Sequence, residues 1–331
     1  MDVLSHVITA MRTGQPRSFL VECRAPWGRS YQAVPGAGFH VILQGSAWLL
    51  PEDGDPVALG VGDVVFMPQG ITHAMADSPT TPTVPTHPDE HCRTERHVVP
   101  VGPDRPNGSA PLTVMLCGMY RLDRSRIHPL LRELPDVVHL PARLGHHPSL
   151  RAAIDLLGGE LQNPRYGTDA VVPALLDMLL LYILRAWTED QPCDEAEGGW
   201  AAALRDPAVS AALCGIHRNP ERQWTVESLG AEAGLSRAAF ARRFTTLIGQ
   251  PPLAYLTWWR MTTAAKLLRD TDISLHSTAQ RVGYTSEFAF ANAFKRAFRT
   301  APGAYRRQHA GEPFAAGDAG SQLGESASSM N

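Results

Sequence analysis

Residues 236–255, SRAAFARRFTTLIGQPPLAY, recur fifty positions later as residues 286–305, SEFAFANAFKRAFRTAPGAY. Ser236, Phe240, Phe244, Pro252 and Tyr255 reappear as Ser286, Phe290, Phe294, Pro302 and Tyr305. Ile248 reappears as Phe298, and the upstream Gly234 as Gly283 with a slip of one residue. A repeat of this kind marks one supersecondary unit present twice. Each copy reads as helix, tight glycine turn, helix. Thr225 caps a short helix ending at Ala233, Gly234 supplies a left-handed turn, and Ser236 caps a second helix that Gly249 stops. In the second copy Ser274 caps residues 275–282, Gly283 turns, and Ser286 caps residues 287–299. This is the helix-turn-helix plan, whose second helix enters the DNA major groove.

At about 100° per residue, Phe240, Phe244 and Ile248 share one helix face, as do Phe290, Phe294 and Phe298. These stripes are core. The opposite faces carry Ala238, Ala241, Arg242, Thr245 and Thr246 in the first copy, and Phe288, Ala291, Asn292, Lys295 and Arg296 in the second. Arg242 can pair bidentately with guanine and Asn292 with adenine, while alanine permits close approach or meets a thymine methyl. The candidate base-reading residues are therefore Ala238, Ala241, Arg242, Phe288, Ala291 and Asn292, with Phe288 either touching DNA or packing on the rest of its domain. Ser236, Arg237, Thr246, Ser286, Lys295 and Arg296 are the candidate phosphate contacts, which position a protein on the duplex without reading it. Residues 252–269 read as one helix begun by proline, a spacer that sets the separation of the two recognition helices.

The net charge of −3 hides a segregation. Residues 219–309 hold 13 Lys and Arg against 6 Asp and Glu, net +7, which leaves net −10 on the remainder. Such asymmetry suits a module that meets phosphates joined to one that does not. The segments WTVESLGAEAGLSRAAFARRF (224–244) and, above all, GYTSEFAFANAFKRAFRTAPGAYRR (283–307), with the spacer helix, resemble the AraC/XylS family over about residues 205–308. The resemblance implies two helix-turn-helix subdomains, promoter DNA and RNA polymerase as partners, frequent activation, a homodimer, and effector sensing by the other domain. It places base contacts at Ala238, Ala241, Arg242, Ala291 and Asn292.

Elsewhere, 44% hydrophobic and 19% charged residues in a 331-residue chain predict a soluble protein with more than one buried core. Short apolar runs at 39–43, 47–50, 57–59 and 64–67, set among glycines and prolines, predict a compact β-barrel or sandwich, with Asp53-Gly54 as a hairpin turn. Residues 78–110, rich in Pro and Thr (SPTTPTVPTHP), predict a long disordered loop, after which 112–120 returns as a strand closing the barrel. Helices follow at 150–161, capped by Ser149, and at 172–187. The latter is apolar nearly all round and needs burial against the barrel or a partner subunit. Its Pro173, Asp177 and Arg185 argue against a membrane span. Residues 191–204 read as an acidic linker and 310–331 as a disordered tail. Five scattered cysteines without a CxxC pair exclude a zinc ribbon or disulfide scaffold. The first 14 residues lack a secretory pattern, so the expected location is the cytoplasm.

Residues 62–73, GDVVFMPQGITH, fit the second cupin motif, a Gly, five residues, then Pro-x-Gly-x-x-His. Over residues 2–120 the chain resembles the cupin-type sensor of a subgroup of these regulators. The first motif ordinarily supplies two His and a Glu, whereas GFHVILQGSAWLL (38–50) offers His40 alone. His40 and His73 make an incomplete metal triad, so no enzyme is expected and no cofactor is required. The candidate sensor residues are Cys23, His40, His73 and Cys117, on segments expected to form the barrel, with Cys23 and Cys117 on its first and last strands. A small molecule, a metal ion or a thiol switch are the open signals, beside the plain reading of buried cysteine as a small hydrophobe. The expected architecture is α+β multidomain. It comprises a cupin-like sensor (1–125), a helical dimerisation region (126–190), the linker, and an all-α double helix-turn-helix domain (205–309). The rival reading is a cupin metalloenzyme with an accessory DNA-binding module.

Overall fold

The computed structural model describes residues 2–86, 98–101, 111–122, 127–191 and 198–309. After helix α1 (Val3–Met11) come strands β1 (Arg17–Arg24), β2 (Gly28–Tyr31), β3 (Ala37–Gln44), β4 (Ala47–Pro51), β5 (Val57–Leu59), β6 (Val64–Met67), β7 (His73–Ala76), β8 (Val84–Thr86), β9 (Val98–Val101) and β10 (Leu112–Tyr120). Helix α2 (Pro129–Glu133), strand β11 (Val138–Leu140), and helices α3 (Pro148–Gln162) and α4 (Thr168–Asp190) follow. The strands form two sheets, ordered β11-β6-β3-β10-β1-β9 and β5-β4-β7-β2-β8.

The period of two along each strand builds two cores from one sheet. His40 and Ile42 on β3, Val65 and Met67 on β6, and Met115 and Cys117 on β10 face the second sheet and fill the barrel. Phe39 and Val41, Val64 and Phe66, and Leu116 face the other way, onto α1, α3 and α4. A sheet buried on both faces yields near-continuous apolar runs, which is why 39–43, 64–67 and 112–120 are visible in the sequence. Residues 112–120 form β10, which pairs with β1 on one side and β3 on the other and so joins the first strand to the rest of the larger sheet. The expected loop over 78–110 is interrupted by β8 and β9, which pair in parallel with β2 and β1 as edge strands. An edge strand tolerates Pro85 and Pro100, so proline there conceals the strand from a sequence reading. Residues 87–97 and 102–110 lie outside the described set.

Residues 126–190 are not wholly helical, because β11 pairs with β6 and extends the larger sheet. Helix α3 begins at Pro148 with His147 at the N-cap position and no side-chain cap bond, so Ser149 lies inside its first turn. Among the described residues α4 alone is long and apolar enough to cross a membrane. It packs on the barrel instead: Leu176, Leu180 and Ile183 are buried, the Tyr120 hydroxyl donates to Leu176 O at 2.7 Å, and Asp177 pairs with Arg12.

The expected linker, 191–204, contains helix α5 (Trp200–Arg205), anchored by a fully buried Trp200. Six of its residues, 192–197, and the expected tail, 310–331, fall outside the described residues. Next come α6 (Pro207–Arg218), α7 (Val226–Glu232), α8 (Arg237–Ile248), α9 (Pro252–Asp270), α10 (Leu275–Arg281), α11 (Glu287–Phe298) and α12 (Pro302–His309). Helix α9 serves two cores. Tyr255, Leu256 and Trp259 pack with Phe240, Phe244 and Leu229, whereas Met261, Ala265 and Leu268 pack with Phe290, Phe294 and Tyr305. Arg260, at the changeover, donates to Pro220 O (2.7 Å) and Arg222 O (2.8 Å) beside the first unit. Its guanidinium also covers Gly283 and stands 5.9 Å from the Tyr284 ring of the second.

The first unit joins the barrel through a box of rings. His6 of α1 and His128 before α2 meet Trp200, His217, Tyr255 and Trp259, with His217 stacked on Trp259 at 3.8 Å. The Tyr255 hydroxyl bonds His217 Nε2 at 2.6 Å and His128 Nε2 at 3.1 Å.

Two outcomes follow for stability. Gly283 has φ +80°, and a Cβ there would lie 2.5 Å from Arg260 and 2.9 Å from Glu221 O. Gly283→Ala should therefore destabilise the second unit by at least about 1 kcal/mol, read as a lower urea midpoint. Burial pushes His128 down to about 3 and His217 well below the ordinary histidine range, so both are neutral when folded. The unfolded chain takes up those protons near pH 6.5. Stability should thus be full above pH 6.5 and fall as pH drops from there toward 3, by up to about 1.4 kcal/mol per unit for each such histidine. Urea midpoints at pH 7.5, 6 and 5 measure the slope, and His128→Gln should flatten it; an equal slope in that variant would contradict the assignment.

Candidate nucleic-acid interface and barrel interior

Both recognition helices start on the serines the repeat picks out. Ser236 Oγ accepts from Ala239 N and Ser286 Oγ from Ala289 N, each at 3.4 Å. Each bond satisfies one of the first turn's free N–H groups, and the others remain for a phosphate oxygen. Phe240 and Phe244, like Phe290 and Phe294, are buried. The helices are thereby fixed in rotation, and Arg237, Ala238, Arg242 and Thr246 are exposed on α8, as are Phe288, Asn292, Lys295 and Arg296 on α11. Ala241 and Ala291 are half-buried. Phe288 is 78% exposed, which removes the reading that it packs on its own domain.

The basic residues divide by what holds them. Arg243 pairs with Asp206, Arg222 with Glu232 and Lys266 with Asp270, while Arg306 donates to Ile273 O. Among the described residues, no ion pair or side-chain hydrogen bond engages Arg237, Arg242, Lys295 or Arg296. These four cations lie on the two recognition helices, where a polyanion would find them; Arg281, Arg299 and Arg307, outside those helices, are likewise exposed and, among the described residues, without an ion pair. Arg242 and Thr246 also line a cleft of about 560 Å³ shared with Arg205, Asp206 and Pro207. The cleft runs along α8 from Ala239 to Leu247, with α5 and the start of α6 as its other wall.

Inside the barrel, His40 Nε2 is 2.8 Å from His73 Nε2, and His40 Nδ1 is 3.0 Å from Cys117 Sγ. His73 Nδ1 lies 2.9 Å from Ile71 O, an acceptor, so that nitrogen carries the proton. The remaining assignments follow: His40 Nε2–H donates to the bare His73 Nε2, and the Cys117 thiol donates to the bare His40 Nδ1. Burial lowers both histidines and raises Cys117, consistent with a wholly neutral chain. Tyr31 stacks on His73 at 5.1 Å and seals it. Every ring nitrogen is occupied, and the two buried carboxylates among the described residues, Glu160 and Asp206, lie outside the barrel. This donor set does not fit a resident metal ion.

Cys23 does not join this chain. The β1–β10 register sets Cys23 opposite Thr113 and Phe19 opposite Cys117. Cys23 and Cys117 therefore lie four residues apart along the sheet, about 13 Å, beyond the roughly 7 Å Cα separation that a disulfide spans. Burial also drives the Cys23 thiol up to about 12, so the reactive thiolate is suppressed. The two strands do pair, but their register parts the cysteines, and of the two only Cys117 reaches the histidines, at His40. The ring box around Tyr255 escaped the sequence reading altogether. Only Tyr255 belongs to the repeat, and nothing local marks His6, His128 or His217 as its neighbours.

Residues 2–189 match the cupin family and residues 229–308 the helix-turn-helix domain family. Putative AraC-like transcription regulators from Streptomyces lividans and Streptomyces antibioticus are 31% and 32% identical over 93% of this chain, covering 98% and 99% of their own lengths. The HTH-type transcriptional regulator AlkR of Acinetobacter baylyi is 29% identical over 93% of this chain and all of its own. Among solved structures, the DNA-binding domain of AdpA in complex with a target DNA is 36% identical over 31% of this chain and 93% of that one, with a TM-score of 0.30. The capped recognition helices with untied cations, the barrel, the two family matches and the Streptomyces relatives together make the chain a member of the AraC-like transcription regulators, a DNA-binding protein with an N-terminal cupin domain.

Proposed function

We propose that the protein is a non-enzymatic, cytoplasmic regulator that binds promoter DNA as a homodimer, contacts RNA polymerase, and answers to a small molecule at its cupin domain. The observation that carries the DNA reading is the exposure of untied Arg242, Lys295 and Arg296 on helices whose opposite faces are locked into cores. Arg242 and Asn292 read bases, with Ala238, Ala241, Phe288 and Ala291 forming the apolar floor against thymine methyls. Arg237, Thr246, Lys295, Arg296 and the helix starts at Ser236 and Ser286 hold phosphates. Dimerisation through α3 and α4 is supported by Leu156, Tyr166 and Val171, large apolar residues exposed on these helices and the turn between them. The closed neutral chain at His40 disfavours a metal signal, and the separation of Cys23 from Cys117 disfavours a disulfide between them, which leaves a small organic effector.

Fluorescence-anisotropy binding to an operator found by genome-wide footprinting separates the roles. Arg242→Ala and Asn292→Ala should each cost about 1–3 kcal/mol at the specific site and relax preference at one base pair, with non-specific binding little changed. Lys295→Ala should weaken all sequences alike and reduce the slope of log K against log salt by about one. An Arg242→Ala protein with the wild-type footprint would move base reading elsewhere. The double variant Cys23→Ser, Cys117→Ser should respond to peroxide as the wild type does in the same assay, and a lost response would restore the thiol switch.

A further inference from the structure

The turn before α3 and the last turn of α4 bring four ionisable side chains together, away from the barrel interior and from the DNA face. His147, the N-cap of α3, adopts left-handed backbone (φ 46°, ψ 54°) and stands its ring between two carboxylates. Its Nδ1 is 3.3 Å from Glu189 Oε2 and its Nε2 is 3.1 Å from Asp190 Oδ1. A neutral imidazole has one N–H. With that proton on Nδ1, facing Glu189, the Nε2 lone pair confronts the Asp190 carboxylate, acceptor against acceptor. A cation between the two groups makes the contact favourable. His146, exposed on the same turn, brings a third ligand atom, and the three ligand atoms of His146, His147 and Asp190 lie within 4.8 Å of one another.

We propose that His146, His147 and Asp190 bind a divalent ion of the zinc class. His147 ligates through Nε2, Asp190 through a carboxylate oxygen and His146 through a ring nitrogen, with water completing the tetrahedron. Two ligands about 2.0–2.1 Å from a tetrahedral ion stand about 3.3 Å apart, close to the Nε2 to Oδ1 contact already present. Glu189, accepting from His147 Nδ1–H, is the outer carboxylate that fixes the tautomer of a metal-bound histidine. Two imidazoles and one carboxylate favour zinc over magnesium or calcium, which prefer oxygen throughout.

The position gives such an ion a consequence. The same last turn of α4 offers the carbonyls of Thr188, Glu189 and Gln191 to the guanidinium of Arg205 on α5, a contact that ties the first helix-turn-helix unit to the barrel. An ion joining the start of α3 to Asp190 stiffens the turn that Arg205 grips.

The test uses the full-length chain, titrated calorimetrically with zinc sulfate and spectroscopically with cobalt(II). One equivalent should bind, with a visible absorption band of tetrahedral cobalt, and zinc should raise the melting temperature. His146→Gln and Asp190→Asn should each weaken binding at least tenfold and abolish the melting shift, while their metal-free melting temperatures match the wild type. Glu189→Gln should weaken binding about tenfold with the cobalt band retained. An absence of binding would overturn the proposal. Binding unaffected by both His146→Gln and Asp190→Asn would place the ion elsewhere and overturn it equally.

Discussion

The Tyr255 hydroxyl is the joint on which the arrangement of the molecule turns. His128 Nδ1 accepts from Leu130 N at 3.1 Å, so its Nε2 carries the proton and donates to Tyr255. The Tyr255 proton must then go to His217 Nε2, which puts the other His217 proton on Nδ1, a buried atom without a hydrogen-bond partner. Trp200 Nε1 and Trp259 Nε1, in the same box, are also buried without one. Each buried, unmade hydrogen bond costs about 1–3 kcal/mol. Across the junction itself run the His128–Tyr255 bond, the Trp200 N–H donated to the Glu133 carboxylate at 2.8 and 2.9 Å, and the grip of Arg205 on the last carbonyls of α4, together with close ring packing.

Because Tyr255 stands near the start of α9, whatever fixes it fixes the second unit as well. The buried residues of α9 pass from the first core to the second between Trp259 and Met261, and Arg260 binds carbonyls of the first unit while covering the glycine turn of the second. The two recognition helices are thereby set by a single rigid rod. Their surfaces remain unequal: α8 shows Arg237 and Arg242 beside alanines and is flanked by α5 and α6, whereas α11 shows Phe288, Asn292, Lys295 and Arg296 in the open. Tyr305, the counterpart of Tyr255, takes its bond from Arg269 rather than from histidines, so the repeat in sequence does not extend to the joint.

What the sequence disclosed was what local periodicity and caps determine. Ser236, Gly249, Ser274 and Ser286 mark helix ends because capping is a bond between a residue and its own neighbours, and the phenylalanine stripes follow from 3.6 residues per turn. Buried central strands were legible as apolar runs. Edge strands β8 and β9 were not, since pairing on one side leaves composition free to be polar or proline-bearing. Cys23 and Cys117 lie on paired strands yet stay apart, because register is set by the burial pattern of the whole strand and not by the cysteines themselves. The ring box unites residues as distant as His6 and Tyr255, chosen for mutual packing alone, which no spacing records.

Strand β3 shows how the barrel interior and the joint are connected. His40 points into the barrel, while Phe39, next to it, points out and packs 5.6 Å from Tyr120. Tyr120 bonds the backbone of α4, whose last carbonyls hold Arg205, five residues beyond Trp200 in the box. Contiguity of this kind carries a signal only if some element along it has two arrangements of similar energy. The packed sheet is a poor candidate, since its registers are fixed by burial on both faces. The box is a better one, because opening it hydrates three stranded N–H groups and offsets part of the lost packing. A displacement of α4 would pass by way of Arg205 and Trp200, both on α5, to the rings around Tyr255, and through α9 to both recognition helices.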